Sequence, residues 1–271
     1  MPDVRGARAA LGVGAMSTFT HLRFTQAYDV ARLTLARPPL NILSIDMMEE
    51  INRALEEVAA NPGAKVLLLA AEGKAFSAGV AVEDHLGDRV KPMLDAFHQI
   101  FRRLRLLDCL TLAAVQGAAL GGGAELATFC DLVIASEGAT FGQPEIKVGV
   151  FPPVAVLHYP ARVGVAKTLA LLVSGEVIPA AEAARIGLVD QVVAAERLAE
   201  TVEAQVERFR AQSAAVLRLT KRAVRDSLGL GFEPALAAIE DLYHYELMTT
   251  ADAVEGLRAF VEKRQPVWKD R

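Results

Sequence analysis

The sequence predicts an α/β fold whose strands are largely parallel. Short runs that are apolar at nearly every position, such as KVLLLAA (65–71), are typical of strands buried on both faces of a sheet. These runs alternate with longer segments whose apolar residues recur at helical spacing, which is the pattern of strand–helix–strand units. From about Ala194 onward the pattern is helical throughout, so we expect a helical C-terminal region after the α/β part.

The first elements are a strand and a helix. VARLTLA (30–36) alternates as a half-buried strand does, and Ser44 is suited to cap the helix that follows. The apolar positions that predict this helix are Met47, Met48, Ile51, Leu55 and Val58. Asn61-Pro62-Gly63 should end it, and a second helix is expected over 91–107 after the 65–71 strand.

The remaining strands frame a glycine-rich segment. TLAAVQG (111–117) and DLVIAS (131–136) are predicted as buried strands, with the glycines and a short helix between them. GLVDQVV (187–193) is the last strand-like run. Four helices should follow, over 196–211, 214–228, 233–248 and 252–263. In the last of these, Thr250 is suited to the N-cap.

These elements suggest a division of the chain into three parts. Residues 1–16 are expected to form a disordered tail, and Met16 is a plausible alternative start. Residues 17–194 would form the α/β core. Residues 195–271 would form the C-terminal helical region.

Composition excludes several classes of protein. Of 271 residues, 52% are hydrophobic, yet no apolar run approaches the length of a membrane span, so we expect a soluble, cytoplasmic protein with no membrane partner. The net charge of −4 gives no overall positive field for nucleic acid. Cys109 and Cys130 make neither a disulfide framework nor a metal spacing, and the five histidines are scattered, so we expect buried free thiols and no metal site.

The glycine-rich segment AAVQGAALGGGAEL contains the first candidate site. Gly121, Gly122 and Gly123 lie between a strand and a short helix, where unpaired backbone amides carry partial positive charge and can hold a developing anion. Glu125 would lie on the first turn of that helix. Taken alone, the segment also fits a flexible loop with a surface acid.

A second candidate turn, GKAFSAGV, follows the 65–71 strand. Gly79 would allow the amide of Val80 to point into a pocket at the end of the strand, where α/β folds place ligands. An ordinary connecting loop is the alternative. Ser77 is not a hydrolase nucleophile, because the G-x-S-x-G pattern is absent.

A third segment, FGQPEIKVGVFPPVAV, places the carboxylate of Glu145 among apolar residues and a stiff proline pair. Together, FSAGV, GAALGGGAEL and FGQPEIKVG occur in an order that resembles the crotonase superfamily of enoyl-CoA hydratases and isomerases. The resemblance runs from about Phe19 to Trp268. It implies a crotonase-like spiral of β-β-α turns and C-terminal helices that assemble a homotrimer or a hexamer.

The resemblance also implies a site for an acyl-CoA thioester. The amides of Val80 and Gly122 would form the oxyanion hole, and Ala78 and Gly121 would contact the substrate. Glu125 and Glu145 match the two catalytic glutamates of the hydratases. We expect Glu145 to act mainly as the proton donor and Glu125 to orient and deprotonate water. Coenzyme A would be part of the substrate, and no separate cofactor is expected.

Two departures from the simple hydratases point to the acyl group. The glycine-rich segment that usually follows the second glutamate is replaced by GVFPPVAV, and Ala81 replaces an acid. Both features resemble the cyclohexa-1,5-diene-1-carbonyl-CoA hydratases of anaerobic aromatic degradation. This resemblance makes Phe151, Pro152 and Pro153 candidate substrate contacts. A straight-chain 2-enoyl-CoA hydratase, an isomerase, a thioester hydrolase and an RNA-binding relative remain alternatives.

Overall fold

The computed structural model describes residues 18–271, which contain two β-sheets and ten α-helices. The predicted tail at 1–16 therefore lies outside the described residues. The strands are β1 (Leu22–Gln26), β2 (Val30–Leu35), β3 (Val66–Ala71), β4 (Leu110–Val115), β5 (Ala118–Leu120), β6 (Leu132–Ser136), β7 (Thr140–Gly142), β8 (Val177–Pro179) and β9 (Gln191–Val193).

The main sheet has six strands in the order β1-β2-β3-β4-β6-β9. β1 is antiparallel to β2, and every other neighbouring pair in this sheet is parallel. Leu33, Leu69, Ala113 and Val133 lie opposite one another across four successive strands and are all buried. This row of side chains explains why the apolar runs identified these strands so well.

The second sheet is small, with three strands in the order β5-β7-β8. Isolated bridges attach the loop after β3 to the surrounding chain: Ser77 pairs with Ala119 of β5, and Val80 pairs with Leu43. The small sheet and these bridges bring the three sequence segments of the candidate site together.

The helices are α1 (Ile45–Ala59), α2 (Val90–Leu106), α3 (Gly122–Thr128), α4 (Pro153–Val163), α5 (Val165–Ser174), α6 (Ala180–Arg185), α7 (Leu198–Arg210), α8 (Ala214–Ser227), α9 (Phe232–Asp241) and α10 (Ala251–Val261). Ser44 and Thr250 cap α1 and α10, as predicted: the Ser44 hydroxyl accepts from the amide of Met47 at 3.4 Å, and the Thr250 hydroxyl accepts from the amide of Ala253 at 3.1 Å. The third C-terminal helix is shorter than expected, because a π-helical turn (Leu242–Glu246) follows α9.

The hydrophobic core lies on both faces of the main sheet. The larger cluster packs beneath α1, α2 and α3, and the smaller cluster lies on the opposite face, where Val202 and Val206 of α7 cover strand residues such as Leu68 and Leu112. α7 is therefore part of the sheet packing, although it follows the boundary that we predicted at residue 194. Within residues 18–271, no helix is long and apolar enough to cross a membrane.

Candidate active site

The turn after β3 presents the amide of Val80 away from its neighbouring strand. In the bridge to Leu43, the carbonyl of Gly79 accepts from the Leu43 amide at 2.9 Å, and the Ala81 amide donates to the Leu43 carbonyl at 3.0 Å. Because backbone groups alternate in direction, the N–H of Val80 points to the other side. Gly79 has a φ of +106°, a conformation that glycine adopts readily, so the turn depends on this residue.

The second predicted oxyanion amide belongs to Gly122, the first residue of α3. An amide in the first turn of a helix has no intrahelical acceptor. Within residues 18–271, neither this amide nor that of Val80 donates to a protein acceptor. The two residues are in contact, since a Cβ added to Gly122 would lie 2.7 Å from Cγ2 of Val80. Two free backbone donors therefore belong to residues that touch, and such donors are what an oxyanion hole is made of.

Glu145 lies against Gly121, the glycine that precedes α3. A Cβ added to Gly121 would lie 2.5 Å from Oε1 of Glu145, so only glycine leaves room for this carboxylate. Gly121 also has a φ of +52°. Glu145 is half-buried, and burial raises the pKa of its carboxyl above the ordinary value, against an opposing backbone hydrogen bond.

Glu125 is almost fully buried, at 2% exposure, and its carboxylate is held by the first turn of α4. Oε1 accepts from the amides of Val154 at 2.8 Å and Ala155 at 2.7 Å. Burial raises the pKa of Glu125 to about 8, the amide of Ala155 opposes this rise, and the charge of Glu145 adds to it. Since each charge disfavours the other, the pair retains a proton at higher pH than two ordinary glutamates would.

The proline pair has a structural role beside these acids. Pro153 is the first residue of α4, a position where proline costs nothing because its missing N–H would have no helical acceptor. Pro152 is buried, and Phe151 is 66% exposed. The helix that Pro153 begins supplies the two amides that hold Glu125. Sequence reasoning did not find this contact, because the residues lie 29 and 30 positions apart.

Gln143 is a further residue that the motif analysis missed. Its side-chain amide is buried between Glu145 and Tyr159. In the orientation that satisfies both of its ends, its nitrogen donates to the two carboxylate oxygens of Glu145 at 3.2 and 3.3 Å. Its oxygen accepts from the Tyr159 hydroxyl at 2.8 Å. The only sequence signal for Gln143 was its position, two residues before Glu145.

Asn41 was also missed, and it braces the chain that leads to the Val80 turn. It is fully buried, and its amide nitrogen donates to the carbonyls of Glu72 at 2.8 Å and Ala75 at 2.9 Å. Its own φ is +49°, which asparagine tolerates better than most residues. Asn41 thereby fixes the segment between β3 and the oxyanion turn.

Other residues in and just after the Val80 turn have structural partners. Ser77 is buried and donates its hydroxyl to the carbonyl of Asn41 at 2.8 Å, and Ala78 is half-buried with its amide bonded to Leu40. Asp84 accepts from the Ile45 amide at the start of α1, and a ring nitrogen of His85 lies 3.0 Å from the Ala81 carbonyl. In the described part of the chain, no group of three His, Cys, Asp or Glu residues could hold a metal ion.

The two thiols are buried, as the sequence predicted. Burial raises the pKa of Cys109 to about 11 and that of Cys130 to about 12. Neither cysteine is a nucleophile at neutral pH, since the thiolate is the reactive form.

The fold and the paired carboxylates beside two free amides define the class of protein. The sequence profile of the enoyl-CoA hydratase/isomerase family matches residues 25–271, and the chain belongs to that family. The predicted superfamily is thus confirmed.

Three relatives illustrate the similarity. The chain is 41% identical over 243 residues to a cyclohexa-1,5-dienecarbonyl-CoA hydratase from Thauera aromatica, covering 90% of this chain and 94% of that protein. It is 39% identical over 259 residues to a probable enoyl-CoA hydratase from Rhizobium meliloti, covering 94% and 100%. Among solved structures, an enoyl-CoA hydratase from Bacillus anthracis superimposes with a TM-score of 0.88 at 28% identity, covering 93% of this chain and 100% of that one.

Proposed function

We propose that this protein is a hydro-lyase that adds water to an α,β-unsaturated acyl thioester of coenzyme A. The observation that carries the proposal is the placement of two carboxyl groups with raised pKa values, Glu125 and Glu145, beside the free amides of Val80 and Gly122. Hydration needs a base for water, an acid for carbon and donors for the negative charge that forms on the thioester oxygen. The site offers all three kinds of group.

The proposed reaction begins with the thioester carbonyl accepting from the amides of Val80 and Gly122. The reaction starts from the state of the coupled pair in which Glu145 carries the proton and Glu125 is ionised. Glu125 accepts a proton from water through Oε2, because Oε1 is already occupied by the amides of α4. The water oxygen bonds to the β-carbon, and the electron pair of the double bond moves to the carbonyl oxygen. Glu145 then gives a proton to carbon, the enolate returns its electrons, and the site regains its proton balance by transfer between the two acids.

We propose a cyclic dienoyl thioester, cyclohexa-1,5-diene-1-carbonyl-CoA, as the substrate. The relative from Thauera aromatica named for hydration of this compound is 41% identical to the chain. The hydroxyl would go to the β-carbon and the proton to the far end of the diene, giving 6-hydroxycyclohex-1-ene-1-carbonyl-CoA. The apolar, proline-stiffened segment at Phe151, Pro152 and Pro153 supports a reshaped acyl pocket, since proton delivery must occur farther from the thioester.

A straight-chain 2-enoyl-CoA hydratase is the second candidate. The 39% identical relative from Rhizobium meliloti, named as a probable enoyl-CoA hydratase, favours it. Isomerisation of a double bond would need only one acid to move a proton between carbons, and two acids therefore favour hydration. The net charge of −4 gives no support to an RNA-binding role.

One assay separates these candidates. Purified protein is given crotonyl-CoA and cyclohexa-1,5-diene-1-carbonyl-CoA in parallel, and kcat/KM is measured for each. We expect kcat/KM for the cyclic thioester to be at least about 100-fold higher, the discrimination that a shaped apolar pocket provides. Turnover of crotonyl-CoA alone would show that the acyl group is linear. Turnover of neither compound would contradict the hydratase proposal.

A further inference from the structure

The side chain of Tyr159 ends in a hydrogen-bonded chain that leads to the catalytic carboxylates. Tyr159 lies on α4 and is 1% exposed, and its hydroxyl lies 2.8 Å from the Gln143 amide. Gln143, also 1% exposed, contacts both oxygens of Glu145 at 3.2 and 3.3 Å. Three side chains from two separate segments thus form one connected network.

The direction of each hydrogen bond follows from the groups involved. An ionised carboxylate only accepts, so the Gln143 nitrogen must face Glu145. The Gln143 oxygen then faces Tyr159, whose hydroxyl must donate. Burial raises the pKa of Tyr159, which keeps this hydroxyl protonated and able to donate. Without the Tyr159 hydroxyl, the buried oxygen of Gln143 would lose this hydrogen bond, and the amide would be less firmly held against the carboxylate.

α4 is therefore linked to both acids, directly to Glu125 and through Gln143 to Glu145. The amides at its start hold Oε1 of Glu125, and Tyr159, one turn farther along, reaches Glu145 through Gln143. A single rigid element can fix the distance and angle between two carboxylates that must act on one water molecule. Small errors in such geometry have large effects on rate.

We propose that Tyr159 is a positioning residue of the reaction: by anchoring the Gln143 amide through its oxygen, its hydroxyl holds the Glu145 carboxylate in line with the substrate carbon. The proposal rests on the proposed hydratase function. Because the tyrosine is 1% exposed, it would act through Gln143 and not on the substrate directly. Its loss should lower kcat and leave KM nearly unchanged, because thioester binding does not use this network.

The test compares Tyr159→Phe with Tyr28→Phe, a control that removes the same hydroxyl from a tyrosine that is 60% exposed. Hydration is measured with whichever of the two thioesters the wild-type protein turns over. We expect Tyr159→Phe to lower kcat by about 10- to 100-fold with KM within about twofold, and Tyr28→Phe to match the wild type. Unchanged kcat in Tyr159→Phe, or a rise in KM alone, would overturn the proposal.

A double variant shows whether the hydroxyl acts through Gln143. Gln143→Met keeps the length of the side chain and removes its hydrogen bonds. In that background, Tyr159→Phe should lower kcat by less than about twofold, because the connection to Glu145 is already broken. An equal loss in both backgrounds would show that Tyr159 acts elsewhere. Absence of hydration by the wild-type protein would instead reject the proposed function, so the two failures are distinguishable.

Discussion

At the scale of residues, the site is built by burying two acids and giving each a different set of partners. Glu125 is held by two backbone amides, and Glu145 is held by a side-chain amide and remains half-buried. Both arrangements leave the pKa raised, because burial outweighs the hydrogen bonds. The motifs singled out these two acids as candidates. They could not predict the amides that hold Glu125, because Val154 and Ala155 lie 29 and 30 positions farther along the chain.

The raised pKa of Glu125 predicts a pH-dependent cost in stability. The folded-state pKa is about 8 and the ordinary value is 4.5. Folding therefore favours the protonated carboxyl, and its contribution to the free energy of unfolding is complete below about pH 4.5 and is lost as pH rises toward 8. Glu125→Gln removes this titration and keeps an oxygen for the two amides. The difference in free energy of unfolding, variant minus wild type, should be about 2–4 kcal/mol larger at pH 8 than at pH 5.

Urea unfolding of both proteins at the two pH values measures this difference, since titrations common to both proteins cancel. An equal difference at pH 5 and pH 8 would show that Glu125 ionises as an ordinary glutamate does.

Gly121 gives a second prediction at this scale. A Cβ there would lie 2.5 Å from Glu145 Oε1, and the φ of +52° adds strain for any other residue. Gly121→Ala should displace the carboxylate and lower kcat by about 100-fold or more. Gly138→Ala is the matched control, because a Cβ at Gly138 meets nothing within 4 Å. Steady-state kinetics of the two variants check this, and equal activity would contradict the placement of Glu145.

At the scale of elements, the sequence predicted the strands and helices with a clear hydrophobic periodicity or N-cap and missed several short or proline-interrupted ones. The long apolar strands and the capped helices α1 and α10 carry a clear period or an N-cap, and they were confirmed. β5, β7 and β8 have three residues each, too few to show alternation. α4 and α5 were missed because prolines and Gly164 resemble breaks in a helix. One of these missed elements, α4, holds Glu125 through the amides of Val154 and Ala155.

The loop between β3 and the oxyanion turn supplies the prediction at this scale. Asn41→Gly removes the side-chain contacts to the carbonyls of Glu72 and Ala75 while tolerating the positive φ at this position. We expect the free energy of unfolding to fall by about 2 kcal/mol and kcat to fall by at least about tenfold, because the Val80 turn loses its brace. Denaturant unfolding and kinetics measure the two effects. A loss of stability with full activity would show that the turn is held without Asn41.

At the scale of the whole molecule, a single chain leaves much apolar surface open. α9 has no buried residue, and Phe232, Leu257 and Phe260 are 75%, 58% and 85% exposed. Large apolar side chains exposed in this way are typical of an interaction surface. The sequence resemblance predicted self-association, but the residues that pair across subunits could not be read from one chain, because an interface helix and a core helix carry the same apolar period.

We propose that these C-terminal helices assemble a homotrimer or a hexamer. Light scattering on the eluted protein should give the mass of three or six chains. Phe260→Glu should shift that mass toward smaller species, because an unpaired charge would be buried at the interface. A monomer at micromolar concentration, with full hydratase activity, would contradict this assembly.

The hydration of a thioester by the paired glutamates can be tested directly in water labelled with oxygen-18. Wild-type protein and Glu145→Gln are incubated with cyclohexa-1,5-diene-1-carbonyl-CoA, and the products are analysed by mass spectrometry. We predict that the wild type yields a hydroxylated thioester carrying one labelled oxygen, and that Glu145→Gln forms it about 10²–10⁴-fold more slowly. Equal rates for the two proteins, or a product without the label, would contradict the two-glutamate mechanism.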